Sequence, residues 1–243
     1  MKLKDEQSNE VAVKQEAGAI AAVKIEQFGE AGFENVDSKS LALPFLKVLG
    51  QLSPQVTQGD SQFIPEARAG MIYNTVTDEL YDGQKGISVI PCYYKLEYQE
   101  WADFGTGSGR PENIFDANSD ILSKTKNENG KDRLENGHYI QTVGQHYVLI
   151  RDGNSTENAL ISMSSSQGKV SRKWNSMMMS ITLDWNNGPY TPPSFSHKYK
   201  INSVLNSGKG NQWYGFNVTK IGPVEEPALY ERAKKFYTSL ASK

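Results

Sequence analysis

The chain has 243 residues, a formal net charge of −2 at pH 7, 37% hydrophobic residues and 22% charged residues. This length allows a substantial core, built either as one domain with appendages or as two small domains. No stretch approaches the roughly 18 apolar residues of a membrane span, and the N-terminal residues are charged rather than apolar. We therefore expect a cytoplasmic protein with no membrane partner and no secretory signal.

The N-terminal part of the chain differs from the rest in composition. Residues 1–36 are rich in Ala, Glu, Gln, Lys and Gly, which predicts a flexible leader. Residues 37–243 are predicted to form a single domain. Its first element is predicted to be a short helix over 41–52, because the apolar residues there fall near helical spacing.

The middle of the chain has the pattern of strands. Residues 87–101 change from continuously apolar to alternating, as in a strand that passes from the core to an exposed edge. Short strands are predicted before it at 70–75 and 80–81. A polar insertion, 103–137, follows and is predicted to be mobile, with a short helix at 119–126.

The C-terminal part of the chain has the pattern of two hairpins and two helices. The predicted hairpin strands are 145–151 with 158–164 and 194–205 with 212–221, and the predicted helices are 167–179 and 226–240. Strands with a basic, aromatic outer face over an apolar inner face are typical of small barrels. The sequence therefore predicts an α+β fold, mainly antiparallel β, with an OB-fold-like barrel and N-terminal and C-terminal helices.

Positive charge is concentrated between residues 161 and 221. This region holds seven Lys and Arg residues against a single acid, Asp184, and aromatic residues lie between the cations. Cations can follow a phosphate backbone while exposed rings stack on bases, so the combination predicts a surface for single-stranded nucleic acid. The alternative is a solvated basic face that has no partner.

The most specific signal in this region is a serine-rich corner followed by a basic helix, 164–175. Lys169, Arg172 and Lys173 stand at i, i+3 and i+4 of that helix, so they share one face, and a bound anion would relieve their repulsion. The serine hydroxyls and the amides at the start of the helix can also contact phosphate. Trp174 is either a stacking ring or part of the core.

Two strand regions supply the remaining candidates. Alternation along 93–101 sends Tyr94 and Tyr98 to one side and Lys95 to the other, and only one side can be core. Exposed rings would stack on bases, whereas buried rings would add only packing area. The C-terminal hairpin contributes two lysines and two rings, Lys198, Lys200, Trp213 and Tyr214.

An enzymatic function has little support in the sequence. His138, His146 and His197 are dispersed and form no metal-ligand pattern, and no nucleophile motif is present. The Gly-rich loop 105–109 lacks the Lys-Ser or Lys-Thr pair of a phosphate-binding loop. We therefore expect no catalytic residue, no metal and no cofactor.

Several short stretches match a pattern shared by one group of phage proteins. They are Leu43-Pro44-Phe45-Leu46-Lys47, Leu52-Ser53-Pro54-Gln55, Gly70-Met71-Ile72-Tyr73-Asn74-Thr75-Val76-Thr77, Val89-Ile90-Pro91, Ser171-Arg172-Lys173-Trp174 and Thr191-Pro192-Pro193 with Phe195. Through them the chain resembles, over about residues 38–240, a bacteriophage family encoded among replication and recombination genes. Members of that family are generally regarded as single-stranded DNA-binding proteins or have no assigned role.

The resemblance implies a protein of the bacterial host cytoplasm whose partners are single-stranded DNA and phage replication or recombination proteins. A homo-oligomer is compatible with it. The closing hairpin is also similar to the last strands of phage OB-fold single-strand binders.

The resulting hypothesis is sequence-independent binding of single-stranded DNA in phage replication, recombination or repair. In this hypothesis Lys95, Lys169, Arg172, Lys173, Lys198 and Lys200 pair with phosphates, and Tyr94, Tyr98, Trp174, Trp213 and Tyr214 stack on bases. One alternative is a recombination mediator or strand-annealing protein that assembles into rings or filaments. Another is a phage structural or host-interaction protein whose aromatic surface meets protein.

Overall fold

Strands make up most of the described chain. The computed structural model describes residues 42–152, 155–185, 188–208 and 210–242, so the predicted leader, 1–36, lies outside the described residues. Within this part the strands are β1 (Leu46–Val48), β2 (Ile72–Asn74), β3 (Leu80–Tyr81), β4 (Ile87–Trp101), β5 (Asn113–Asp116), β6 (Lys126–Glu128), β7 (Lys131–Arg133), β8 (Tyr139–Asp152), β9 (Ser155–Ser164), β10 (Leu183–Trp185), β11 (Gly188–Tyr190), β12 (His197–Gly208) and β13 (Asn211–Pro223). The helices are α1 (Gly168–Met179) and α2 (Pro227–Ala241), with short 3-10 helices at Ile121–Lys124, Ser165–Gln167 and Ser194–Ser196. These elements belong to one compact unit, residues 43–243.

The fold is α+β with mainly antiparallel sheets, which confirms the predicted class. The large sheet has the order β13-β12-β4-β8-β7-β6, with β5 added to β4 and β9 added to β8. Strand β4 pairs with β8 along one edge and with β12 and then β5 along the other. The strands that carry the candidate residues are therefore close neighbours in one sheet.

A β-bulge in β4 decides which side chains face which way. The register with β8 shifts between Pro91 and Tyr93, within a strand whose proline has no N–H to give to the ladder. Cys92 and Tyr93 consequently both lie on one side of the sheet: Cys92 packs with Leu149, and the Tyr93 ring lies 6.4 Å from that of Tyr237 in α2. Beyond the bulge, each side chain of β4 therefore points to the face opposite to the one that uninterrupted alternation would give it.

The large sheet has a covered core on each face. On one face, which we call the α1 face, the side chains pack around Trp174 of α1 and include Val89, Val148, Ile150, Ile161, Met163, Tyr199, Ile201, Phe216 and Val218. On the other, the α2 face, they pack against Leu229 and Ala233 of α2 and include Ile90, Cys92, Leu149 and Phe195. Successive residues of a strand point to opposite faces, so one set of strands serves both cores.

A small sheet of β1, β2 and β3 packs on the α1-face core through Leu46, Ile72 and Tyr81. The segment before β1 is joined to β9, where the Leu160 amide donates to the Pro44 carbonyl at 2.8 Å. The segment after β3 is joined to β12, where the Ser203 amide donates to the Gly83 carbonyl at 2.7 Å. In the described part of the chain these connections do not amount to a closed barrel.

Most predicted elements are confirmed, with one clear exception. Both C-terminal helices, the long strand β4 and the strands of both hairpins occur where the pattern placed them. The helix predicted over 41–52 is wrong, because this segment forms β1, which pairs with β2 in the register Lys47 with Tyr73. Leu52, on the predicted apolar face, is 92% exposed. Long-range pairing overrides the local helical spacing here.

The polar insertion is built from short strands. It contains β5, β6 and β7, and the helix predicted at 119–126 is a single 3-10 turn, Ile121–Lys124. Two hydrogen bonds fix it to the buried carboxylate of Glu100, one from Asn113 Nδ2 at 2.7 Å and one from Asn136 Nδ2 at 3.0 Å. The β6–β7 hairpin itself joins the large sheet through the pairing of β7 with β8.

Candidate nucleic-acid interface

Helix α1 divides its side chains between the core and the solvent as its sequence predicts. Ser171 and Trp174 are buried, while Lys169, Arg172 and Lys173 are exposed. Charges of like sign at i, i+3 and i+4 repel one another by a few tenths of a kcal/mol per pair. Within the described residues none of the three cations has an ion-pair partner. The helix therefore presents three uncompensated positive charges.

Trp174 anchors this helix and cannot stack on a base, which corrects that part of the prediction. Its side chain is 0% exposed and stacks on His146 with ring centroids 4.4 Å apart and planes at 17°. The Tyr199 ring closes the group at 5.8 Å from the indole. Trp174 is thus the core plug that the sequence left as an alternative.

His146 connects α1 to β8 as a neutral side chain. Its Nε2 lies 2.8 Å from the Ser171 hydroxyl. Burial lowers the pKa of His146 to about 3, since there is no nearby acid to stabilise an imidazolium in this apolar core. The pair therefore holds the start of α1 against the sheet without adding charge.

A cleft of about 590 Å³ opens where α1, the strands β4 and β8 and the β6–β7 hairpin meet. Its polar and charged lining comes from all of these elements, and the strands add apolar surface. The lining residues are Tyr94, Leu96, Gly130, Lys131, Asp132, Tyr139, Ile140, Gln141, Thr142, Gly144, Met163, Ser165, Gly168, Ser171 and Arg172.

The two cations of the cleft, Lys131 and Arg172, differ in whether an acidic side chain neutralises them. Arg172 has no ion-pair partner among the described residues, whereas the Lys131 ammonium lies 3.2 Å from Asp103 Oδ1 and 4.1 Å from the centre of the Tyr139 ring. Asp103 also binds Arg133 at 3.0 Å, and hydrogen bonds from Arg133 and Lys131 hold the pKa of Asp103 below its usual range. Arg172 is therefore the cation ready to accept a new anion.

Tyr94 and Tyr98 lie on the α1 face because of the bulge in β4. Tyr94 is half-buried, lines the cleft and packs its ring 4.9 Å from that of His146. Tyr98 is half-buried on the same face, paired with Thr142 of β8. Both predicted rings thus stand on the side that carries the α1 cations.

Lys95 lies on the opposite side of β4 and already has partners. Its ammonium is 3.2 Å from Glu97 and 3.0 Å from Asp116, and the bond to Asp116 is the main reason that the pKa of Lys95 is raised. The bulge separates it from the α1 cations, which corrects its predicted grouping with them.

The C-terminal hairpin does not join the cleft either. Lys198 and Lys200 alternate with Tyr199 and Ile201, whose side chains are buried under α1, so both lysines lie on the α2 face. The prediction that all the cations converge is corrected by this alternation along one strand.

The two rings of the hairpin lie apart from the cleft and from each other. Tyr214 is half-buried against Gly70, where a Cβ would lie 2.8 Å from its ring, and lines a separate cavity of about 300 Å³ beside β1. Trp213 alternates with it and is 37% exposed.

A scan against protein-family models matches residues 13–243 to the Pam3 phage gp34-like protein. The chain belongs to that phage protein family. A search of curated proteins gave no match, and a search of solved structures gave none either.

Two further properties of this gp34-like chain bear on its chemistry. No helix in the described ranges is long and apolar enough to cross a membrane. Those same ranges contain no group of three or more His, Cys, Asp and Glu side chains placed to hold a metal ion.

Sequence reasoning missed two cleft residues of the gp34-like chain, Lys131 and Tyr139. Both border the β6–β7 hairpin, whose turn residues Asn129 and Gly130 have positive φ values of 54° and 80°. An Asn-Gly pair between short strands is the typical signal of a two-residue hairpin turn. That signal would have placed a hairpin at this point, although not its proximity to α1.

Proposed function

We propose that this phage protein binds single-stranded DNA without sequence preference, in replication, recombination or repair within the bacterial host cytoplasm. The observation that carries the proposal is the cleft, where the uncompensated Arg172 and the Tyr94 ring line one space. A phosphate and a base of one strand need these two kinds of side chain close together.

The phosphate contacts are assigned to the exposed face of α1. Lys169, Arg172 and Lys173 repel one another in the free protein, so a bound polyanion lowers their mutual repulsion and releases counterions. Affinity driven in this way falls as salt rises.

The base contacts are assigned to rings on the α1 face. Tyr94 and Tyr98 are half-buried, which fixes each ring while leaving part of it accessible. A ring of this kind loses little conformational freedom when a base stacks on it, and every base has a face that can stack.

The proposal includes an OB-like platform. Strands β4, β8, β9 and β12 belong to one sheet, and the small sheet bridges from β9 to β12 through Pro44 and Gly83. OB folds bind single strands across a partly open barrel, and a bulge such as that in β4 bends a strand in the way a barrel requires.

No catalytic step and no cofactor form part of the proposal. Ser171 and His146 are hydrogen-bonded beside the cleft, as a nucleophile and its base would be. However, burial lowers the pKa of His146 to about 3, far from the near-neutral value that suits a general base. We assign the pair to the anchoring of α1.

The test is fluorescence anisotropy of a labelled oligo(dT) between about 50 and about 200 mM salt. The wild-type chain is expected to bind and to lose affinity steeply across this range. Arg172→Glu with Lys173→Glu should weaken binding at least about tenfold at the lower salt, because each charge is reversed at a phosphate contact.

The matched control reverses two lysines on the other face, Lys198→Glu with Lys200→Glu, and should stay within about twofold of wild type. Absence of wild-type binding, or binding that does not respond to salt, would contradict the proposal. Strand-annealing assays with sizing by light scattering distinguish a simple binder from a ring- or filament-forming annealing protein.

A further inference from the structure

The cleft beside α1 has the dimensions of a ligand site. Its volume of about 590 Å³ falls inside the range of roughly 300–1,000 Å³ found for small-molecule sites. It combines apolar surface from Leu96 with two rings, two cations and one acid, Asp132. A site that follows only a phosphate backbone needs neither this volume nor the apolar surface.

We propose that the cleft holds one nucleotide of the bound strand, with its phosphate against Arg172 and its base against the Tyr94 ring. This rests on the proposed function and adds to it a discrete nucleotide subsite. The ligand of this subsite, whether free or part of a strand, has the chemistry of a nucleoside monophosphate.

The phosphate side is defined by Arg172 and the turn that precedes α1. The Arg172 guanidinium lies near Gly168, where a Cβ would meet only Arg172 Nη1, at 3.6 Å. Beside it the Ser165 hydroxyl accepts a hydrogen bond from Gln141 Nε2 at 2.9 Å, which leaves its own O–H free to donate to an anion. Two donors are thus available to one phosphate.

The base side is defined by Tyr94 and by the groups that hold its ring in place. His146 supports the ring from the core, with the two ring centroids 4.9 Å apart. On the neighbouring strand Gly144 has no side chain, and a Cβ there would collide with the Ser171 hydroxyl and lie 3.2 Å from the Tyr94 ring. Gly144 therefore lets the Tyr94 ring and Ser171 pack directly on β8, which fixes the position of the ring at the edge of the cleft.

Thr142 allows the cleft to be blocked without altering the core. It is exposed, lines the cleft and lies on β8, so Thr142→Trp places a large ring in the space assigned to the nucleotide. Thr219 is the matched control, since it is also an exposed strand threonine, and it pairs with Lys200, which points to the α2 face. Circular dichroism melting of both variants checks that each retains the fold.

The experiment has two measurements. Saturation-transfer NMR with dTMP or thymidine, and with inorganic phosphate as a competitor of dTMP, detects occupation of the cleft by a free ligand. Anisotropy with oligo(dT) detects the strand. For Thr142→Trp we expect loss of the dTMP signal and at least about fivefold weaker oligo(dT) binding, since stacking of one base is removed. Thr219→Trp should behave as wild type in both measurements.

Each outcome decides between the two proposals. If wild type binds oligo(dT) and Thr142→Trp binds it equally well, the nucleotide subsite is overturned while single-strand binding stands. If wild type binds dTMP but not oligo(dT), the cleft serves a free nucleotide and both proposals fail. If thymidine saturates as strongly as dTMP and phosphate does not compete with dTMP, the combined phosphate and base site is overturned.

Discussion

The two faces of the large sheet are built from the same strands but differ in what covers them. The α2 face is closed by apolar contacts, with Leu229 and Ala233 of the helix on Ile90 and Leu149 of the sheet. The α1 face is closed by Trp174 over the polar side chain of His146, and beside that contact it remains open as the cleft.

The two faces also differ in how their charged side chains are paired. On the α2 face Lys95 is neutralised by two carboxylates, and Arg151 is bound to Glu226 at 3.1 Å. On the α1 face the helix cations have no such partners within the described residues. Lys198 and Lys200 on the α2 face also have no ion-pair partner among the described residues. The α1 face differs because its free cations lie next to a cleft lined by accessible rings, which suits it to a polyanion.

The largest expected effect concerns the anchor of α1. Trp174→Ala should lower the free energy of unfolding by about 3–5 kcal/mol, because it removes a fully buried indole and leaves a cavity. Urea denaturation measures the loss, and Leu229→Ala, expected to cost about 2–5 kcal/mol, is the counterpart on the α2 face. A Trp174→Ala variant that kept its stability but lost DNA affinity would show that the indole meets the ligand.

The second effect uses the polar group in the α1-face core. His146 has a pKa lowered to about 3 in the fold, against about 6.5 in an unfolded chain. The unfolded state therefore binds the proton more readily, so stability is complete above about pH 6.5 and is lost as the pH falls toward 3. By pH 5 the free energy of unfolding should have dropped by about 2 kcal/mol.

His146→Gln is the control for that pH dependence, since the amide can still bond to Ser171 but does not titrate. Between about pH 5 and 7, a window above the usual carboxylate pKa values, its unfolding free energy should fall less than that of the wild type. The remaining decline comes from His197, because burial lowers its pKa as well. An identical decline in both proteins would assign the pH dependence to other groups.

The third effect compares single cations on the two faces. Arg172→Gln should reduce the slope of log affinity against log salt by about 0.7, the contribution of one phosphate contact to a single strand. Lys200→Gln should leave the slope unchanged, because Lys200 lies on the α2 face. Anisotropy titrations of oligo(dT) at several salt concentrations give both slopes. Equal slopes for the two variants would remove the distinction between the faces.

The sequence alone predicted those parts of the fold that depend on the spacing of residues along one element. The basic face of α1 follows from the positions of Lys169, Arg172 and Lys173 along one helix, and the long strand β4 follows from its own apolar pattern. The sequence could not decide whether Trp174 is buried or exposed, because its burial depends on packing against His146 of strand β8.

Two errors come from features that arise only when strands meet. The bulge after Pro91 reverses the alternation of β4, which moves Lys95 away from the face of the α1 cations. Proline within a strand signals an irregularity, but the number of residues by which the register shifts depends on the partner strand. In the same way, β1 exists only because β2 and β9 offer it partners.

The smallest expected effect concerns the carboxylate that pairs with Lys131 of the cleft. Asp103 binds Lys131 and Arg133, so Asp103→Asn should free Lys131 for a phosphate and raise oligo(dT) affinity by about twofold to fivefold, in keeping with the modest strength of an exposed ion pair. Asp116→Asn removes the same charge but frees Lys95 on the α2 face, and it should leave the affinity unchanged. Anisotropy titrations of both variants make the comparison. Since the net charge changes equally, a rise in affinity confined to Asp103→Asn can come only from the surroundings of the cleft, whereas equal rises would reduce the effect to net charge alone.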